Sequence, residues 1–158
     1  MRRYILTLLV FSVCIVSAIG NQQTKSTGEI IVDGKKLVLP YAYCLKQDDF
    51  YQVIMLNHKL PEKDITNLFR NYPDDEIKIS LLVPIVANPA MNGIAVDEYI
   101  ANSVKLSMKA KPAKKGDAVE VTVSEITIKP DTGRFKGKKV VIKGVFSAVY
   151  YGAAQYTY

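Results

Sequence analysis

The chain is 158 residues long, with 49% hydrophobic and 23% charged side chains, a mean hydropathy of +0.07 and a formal net charge of +6 at pH 7. This composition is typical of one folded domain with a short targeting segment. It excludes a multidomain enzyme, a collagen-like chain and an intrinsically disordered chain.

The first twenty residues have the pattern of a cleaved secretory signal peptide. Arg2 and Arg3 precede an almost wholly apolar run over residues 4–16, and Ala18-Ile19-Gly20 places small residues at the two positions that a signal peptidase reads. We expect cleavage after Gly20 and a single mature domain over residues 21–158, periplasmic or extracellular. A membrane anchor would need about 20 apolar residues, and no later stretch is long enough either. We therefore expect no transmembrane segment after cleavage.

The cysteine content agrees with a domain that folds without disulfide bonds. Cys44 would be the only cysteine of the mature chain, so no intramolecular disulfide can form in an oxidising compartment. We expect a buried, inert thiol at Cys44, with an intermolecular disulfide as the alternative.

Apolar residues recur with period two along the mature chain, which predicts β-strands. Asp33-Gly34 separates residues 29–32 from residues 37–45, whose odd positions are apolar or aromatic, and this predicts a hairpin through a tight turn. Pro40 indicates that the second strand is at an edge or is bulged. Residues 51–57 are apolar on both faces, as in a central strand.

The middle of the chain contains the one predicted helix. Residues 61–69 begin with a proline and carry early acidic side chains, both of which suit the first turn of a helix. Alternation predicts a further strand over residues 77–85. The cleanest half-buried strand is predicted over residues 103–109.

Near the C-terminus the alternation changes phase. Val119, Val121 and Val123 share one parity and Ile126 and Ile128 the other, which predicts a β-bulge near Ser124 or Glu125. A last long strand is expected over about residues 138–151, with an inner face made of Val140, Ile142, Phe146, Ala148 and Tyr150. Seven or eight strands with one short helix predict an all-β fold, a sandwich or a barrel. We take an antiparallel β-sandwich of Ig-like or Greek-key type as the expectation.

The sequence contains no constellation typical of an active site. His58 is the one histidine, and neither a second histidine nor a glycine elbow accompanies it. Together with Cys44 it is too few ligands for a structural zinc site. Asp74-Asp75-Glu76 and Asp97-Glu98 lack the alternating ligands of a calcium loop, so we expect solvated loop charge there. We therefore expect no enzyme activity, no cofactor and no metal.

Positive charge is concentrated in the C-terminal part of the chain. Residues 21–100 hold 8 basic and 11 acidic side chains, whereas residues 101–158 hold 11 and 4. The closely spaced lysines of this part are Lys105, Lys109, Lys111, Lys114 and Lys115. They could form a surface for an anionic partner, or simply a solvated strand face. Nucleic acid is not expected, because arginine and aromatic residues do not alternate with the lysines.

Tyrosine is the second candidate for a contact surface. The chain has ten tyrosines and no tryptophan, and tyrosine is frequent both in interfaces and in sheets. The candidates near the C-terminus are Tyr150, Tyr151, Tyr156 and Tyr158.

One part of the chain resembles a known group of proteins. Residues 28–35 (GEIIVDGK), Leu39-Pro40-Tyr41-Ala42-Tyr43, and residues 53–57 with Leu60-Pro61 resemble the opening hairpin and alanine-tyrosine strand of uncharacterised secreted bacterial β-rich domains. The resemblance covers mainly residues 28–61. It implies an envelope or extracellular β-sandwich of unknown function and supplies no catalytic residue.

Two hypotheses of function follow from these features. The first is a secreted or periplasmic, non-enzymatic interaction module that binds a protein or an anionic envelope surface through the lysines or the tyrosines. The alternative is a carrier of a small molecule or lipid, with a cavity lined by residues such as Leu81, Val83, Phe146 and Tyr150. The oligomeric state and the partner are left open.

Overall fold

The computed structural model describes residues 26–156, which form a mostly β structure with one short helix. The elements are β1 Glu29–Val32, β2 Lys35–Leu37, β3 Tyr41–Gln47, β4 Phe50–Leu56, α1 Glu62–Ile65, β5 Lys78–Pro84, β6 Gly93–Val96, β7 Tyr99–Asn102, β8 Leu106–Met108, β9 Ala118–Ile128 and β10 Val140–Ala153. The predicted signal peptide and its cleavage site lie outside the described residues.

The ten strands belong to one curled, mixed sheet. Its main path runs β2-β1-β10-β3-β4-β5-β6-β7, while β9 pairs with the other edge of β10 and β8 pairs with β9. β10 pairs with β1 in its first half and with β3 in its second half. The β3–β10 pair is parallel, with Val149 opposite Tyr43 and Tyr150 opposite Cys44. The all-β expectation is confirmed, but the antiparallel expectation is wrong at this pair, and a sandwich of two sheets is not shown.

The first hairpin is confirmed at its turn, but the expectation that its second strand extends to residue 45 is wrong. The strand ends at Leu37, and Tyr41, Tyr43 and Leu45 belong to β3, which pairs with β4 and β10. Asp33 and Gly34 both have positive φ, 48° and 79°, as a tight two-residue turn between β1 and β2 requires. Pro40 lies between β2 and β3, where its missing N–H interrupts no ladder, and β2 is an edge strand of the main path.

The predicted β-bulge is confirmed as well. Val123 lies opposite Gly144 and Ile126 lies opposite Ile142, so Ser124 and Glu125 together face one residue of β10. The extra residue changes which side chains point inward, and both parities therefore reach the same core.

The concave face of the sheet encloses the main core, here called the inner core. All five residues predicted for the inner face of the last strand are buried in it. Their neighbours in the core include Cys44, Val53, Ile79, Leu81, Ile94, Val119, Val121 and Val123. The predicted faces of the strands over residues 77–85 and 119–128 are confirmed.

A second cluster, here called the outer cluster, lies on the opposite face of β3 and β4. It consists of Tyr43, Leu45, Ile54, Leu56, Leu60 and Ile65. Because β4 contributes residues to both clusters, the prediction of a central strand is confirmed. The segment around α1 covers the outer cluster, and this segment is joined to the C-terminal tail by an isolated bridge between Asn67 and Gln155.

Two predicted elements are shorter than expected. The helix ends at Ile65 rather than Phe69, because the Thr66 carbonyl accepts from the Gln155 N–H (2.7 Å) and the Leu68 N–H donates to the Gln155 carbonyl (3.0 Å), so these groups pair with the tail instead of extending the helix. The strand expected over residues 103–109 is reduced to β8, because Ser103 has φ 57° and turns the chain.

No helix within residues 26–156 is long and apolar enough to cross a membrane.

Candidate binding surface

The loop between β8 and β9 presents four of the five candidate lysines. Its shape is set by Asp117, whose carboxylate accepts from the backbone N–H groups of Lys114 (2.9 Å) and Ala113 (2.8 Å). These hydrogen bonds lower the pKa of the Asp117 carboxyl. The Gly116 N–H donates to the Tyr150 carbonyl (2.8 Å), so the loop is attached to β10.

The four lysine side chains of this loop are exposed but not all unpaired. Lys109 lies 3.1 Å from Glu120, and Lys115 lies 2.9 Å from Glu62 on α1. Lys111 donates to the Ile85 carbonyl. Exposed ion pairs of this kind are weak, so the loop stays a positive surface with part of its charge neutralised.

Lys105 is separate from the other four lysines. Its carbonyl accepts from the Ser124 N–H (3.1 Å), whereas the Lys109 N–H donates to the Glu120 carbonyl (3.0 Å). The two lysines therefore lie at opposite ends of β8, about 13 Å apart along β9 at the usual rise per residue. The sequence placed them in one cluster because it shows only their spacing along the chain.

The candidate tyrosines have different environments. Tyr150 is buried in the inner core, with its ring 6.1 Å from that of Tyr51, and burial raises the pKa of its hydroxyl. Its side chain is therefore not available for contact with a partner. Tyr156 is 53% exposed and its ring lies 5.6 Å from that of Phe69. Tyr158 lies outside the described residues.

Tyr151 contacts both Tyr43 and Lys115 of the loop between β8 and β9. Its ring packs edge-on against Tyr43 at 5.7 Å, and the Lys115 ammonium lies 5.6 Å from its centroid. Such cation–π contacts are common where a lysine lies over an aromatic face. We call this region the lysine–tyrosine surface; its members are Lys109, Lys111, Lys114, Lys115 and Tyr151, whereas Tyr156 lies against Phe69.

A buried charge cluster was not predicted from the sequence. Arg70 donates two hydrogen bonds to the Glu76 carboxylate (2.7 and 2.8 Å), and Nε2 of His58 lies 3.1 Å from the same carboxylate. The side chains of Arg70 and Glu76 are 8% and 3% exposed. The expectation that Asp74-Asp75-Glu76 is solvated charge is therefore wrong for Glu76, because the turn directs this side chain inward. The one available signal was the presence of arginine in a lysine-rich chain, since arginine suits bidentate buried pairs.

The geometry of this cluster favours a structural role. Nδ1 of His58 lies 3.3 Å from the Asn57 side-chain oxygen, so both ring nitrogens face oxygen acceptors. Asn57 in turn accepts from the Ile77 N–H (2.8 Å). Cys44 is buried in the inner core on the other face of the sheet, so it does not pair with His58. The cluster thus fixes the segment that covers the outer cluster.

Within residues 26–156 no three His, Cys, Asp or Glu side chains are grouped so that they could hold a metal ion.

Two of the cavities on the surface of residues 26–156 bear on the carrier hypothesis. One, of about 440 Å³, lies between β7 and β9 and includes Lys105 in its wall. The other, of about 250 Å³, is lined by Tyr72, Pro73, Asp74, Glu76, Lys78, Asp97 and Arg134. The four residues named for a carrier cavity line neither of them, and three of these four are buried in the inner core.

Comparison with protein-family models, with characterised proteins and with solved structures finds no match to this chain.

Proposed function

We propose that this protein is a secreted or periplasmic, non-enzymatic binding module that contacts an anionic partner through the lysine–tyrosine surface. The observation that carries the proposal is the fixed loop between β8 and β9, which Asp117 holds in shape and Gly116 attaches to β10. A loop that is already ordered loses little conformational entropy on binding.

The electrostatics favour an anionic partner. The loop of residues 109–117 holds four lysines and one aspartate, and a clustered excess of one sign accelerates association with the opposite sign. Tyr151 adds an aromatic face beside Lys115. Tyrosine is among the residues enriched at protein interfaces, and lysines at the rim of an interface accelerate association with an anionic partner.

Secretion is part of the proposal and is supported by the N-terminal pattern. The arginine pair, the apolar run and the small residues before Asn21 are the features that the secretion machinery reads. N-terminal sequencing of the exported protein tests this, and a first residue of Asn21 is expected.

The test is capture of partners from the native envelope fraction with immobilised protein at low and high salt. Replacement of Lys109, Lys111, Lys114 and Lys115 by glutamine should abolish capture at low salt without lowering the melting temperature, because these side chains are exposed. The matched control replaces Lys35, Lys36, Lys138 and Lys139, which are also exposed. Equal capture by both variants would contradict the proposal.

Two further arms identify the kind of partner. Protease treatment of the fraction removes an acidic protein partner, whereas sedimentation with anionic lipid vesicles detects an envelope surface. The carrier alternative is tested on the same sample by native mass spectrometry, in which a co-purifying apolar ligand would favour it over the binding module.

A further inference from the structure

The curled sheet almost closes on itself, and the place where it stays open lies between β7 and β9. β7 is the last strand of the main path and pairs only with β6. β9 pairs with β10 on one side, and β8 pairs with its other side only at Val121, Thr122 and Val123. The described strands therefore leave two free edges that face the same gap.

β8 fills one end of this gap and the larger cavity fills the other. β8 is attached across the gap by the Asn92 side chain, which donates to the Leu106 carbonyl (3.3 Å). The chain that leads from β7 to β8 is held by the Val104 N–H, which donates to the Asn92 carbonyl (3.4 Å). Beyond β8 lies the cavity of about 440 Å³, lined by residues 99–105 and by Ser124, Glu125, Ile126 and Ile128. We call this open stretch the seam.

The backbone of β7 is oriented to accept a further strand. The Asp97 N–H donates to the Lys78 carbonyl, so the backbone of Asp97 points toward β5. Backbone N–H and C=O groups alternate in direction along a strand, so those of Val96 point toward β7, where they face Tyr99. By the same alternation the N–H and C=O groups of Ile100 and Asn102 point away from β6, into the seam. The Ile100 side chain is 54% exposed at this edge.

From this geometry we infer that the seam binds an extended peptide segment of a partner protein, which adds one strand between β7 and β9 in line with β8. Strand addition to a free sheet edge is a recurring mode of peptide recognition. The seam has a strand edge on both sides, so its occupant must have both of its own edges free. An edge strand of a second folded copy has only one free edge, which disfavours self-association here.

The charges around the seam favour an acidic peptide. Lys105 and Glu125 are the charged residues in its wall. Glu125 lies 3.5 Å from Lys143, whereas none of the ion pairs found within residues 26–156 involves Lys105. Lys105, Glu125 and the adjacent Lys143 together carry a net charge of +1, and Lys105 is the cation of this group without an ion-pair partner. This surface is distinct from the lysine–tyrosine surface proposed above.

The test is selection of binders from a random peptide library displayed on phage, with the purified protein immobilised. We expect enrichment of proline-free, β-forming peptides with aspartate or glutamate. Ile100→Pro removes a seam-facing N–H and should weaken synthetic copies of these peptides about tenfold or more. Lys36→Pro is the matched control, because Lys36 has the equivalent position after the turn of the other edge hairpin, opposite Ile31. It should leave binding unchanged.

The charge component is tested by reversal. Lys105→Glu should weaken binding of the acidic peptides, whereas Lys35→Glu, at the exposed start of β2, should not. Hydrogen exchange provides a readout that needs no variant: bound peptide should protect the amides of Ile100 and Asn102. Failure to enrich any peptide, equal binding by the Ile100→Pro and Lys36→Pro proteins, or unprotected amides would overturn the inference. A dimer that Ile100→Pro converts to monomer would assign the seam to a second copy and overturn it too.

Discussion

Glu76 shows how one buried carboxylate organises a segment of the chain. Its two oxygens accept from Arg70 and lie near His58, and the three residues come from the chain between β4 and β5. A buried pair contributes little net stability compared with an apolar pair, but removal of one partner leaves an uncompensated charge. The segment over the outer cluster therefore depends on this carboxylate.

Glu76→Gln should lower the free energy of unfolding by about 3 kcal/mol or more, because the buried Arg70 guanidinium loses its counter-charge. Urea unfolding followed by circular dichroism measures it. Glu125→Gln is the control, since the Glu125 side chain is 63% exposed in its pair with Lys143 and exposed pairs contribute at most about 1 kcal/mol. Equal losses in the two variants would argue against the buried pair.

Burial of Cys44 makes the unfolding free energy depend on pH. Desolvation raises the pKa of its thiol from 9.0 to about 12, because the inner core disfavours the thiolate. The unfolded chain ionises first as the pH rises through 9, so the stabilising contribution of the neutral thiol is complete below that pH and is lost progressively toward pH 12.

The unfolding free energy should therefore fall by about 1.4 kcal/mol more between about pH 8 and pH 10 in the native protein than in Cys44→Ala. Burial also raises the pKa of Tyr43 and Tyr150, but both tyrosines are present in both proteins and their contributions cancel. Parallel pH slopes would show that the thiol is accessible in the folded state, and rapid reaction with a thiol reagent at about pH 8 would show the same.

Among the strands, β10 has the most demanding backbone. It pairs with β9, β1 and β3, and Gly144, which follows the residue that faces the bulge of β9, has φ 97°. A Cβ at Gly144 would lie 3.0 Å from the Thr27 carbonyl oxygen and from the Gly28 Cα. The bulge and this glycine together allow the N-terminal segment to cross β10 closely.

Gly144→Ala should lower the unfolding free energy by about 2 kcal/mol more than Gly116→Ala does. Both glycines have φ 97°, but a Cβ at Gly116 meets nothing within 4 Å, so the pair separates the steric contact from the backbone strain. Chemical denaturation of the two variants gives the difference. Equal destabilisation would show that conformation alone accounts for the cost.

For the molecule as a whole, the sheet has apolar clusters on both faces, and the C-terminal tail completes the outer one. After β10, the Ala154 N–H donates to the Lys46 carbonyl (2.8 Å), and Gln155 exchanges two hydrogen bonds with Thr66 and Leu68. The C-terminal tail and the segment around α1 thus meet over β3 and β4. The free energy of local unfolding differs between regions of a protein, so the segment around α1 can open while the inner core stays folded.

Truncation after Ala153 should therefore release the segment around α1 from the outer cluster and leave the inner core folded. Hydrogen exchange should show lost protection at the amides of Leu60 and Leu68, with retained protection in β9. Truncation after Tyr156 keeps these contacts and serves as the control. Unchanged protection at Leu68 in the shorter chain would mean that the tail does not hold this segment.

Much of the fold follows from the sequence because the signals are local. The Asp33-Gly34 turn, the bulge at Ser124 and Glu125, the two-faced burial of β4 and the inner face of β10 each depend on residues a few positions apart, and alternation with period two reports which side meets the core. The helix length escaped prediction because the carbonyl of Thr66 has a partner far away in sequence.

The other features could not be predicted from the sequence, because they depend on pairing between residues that are distant along the chain. The parallel β3–β10 pair, the inward turn of Glu76, the burial of Tyr150 and the separation of Lys105 from the other lysines all appear once the sheet has curled. Composition and spacing along the chain report charge and polarity but not which surfaces meet. Long-range strand pairing decides that, and with it which lysines share a surface and where an edge stays open.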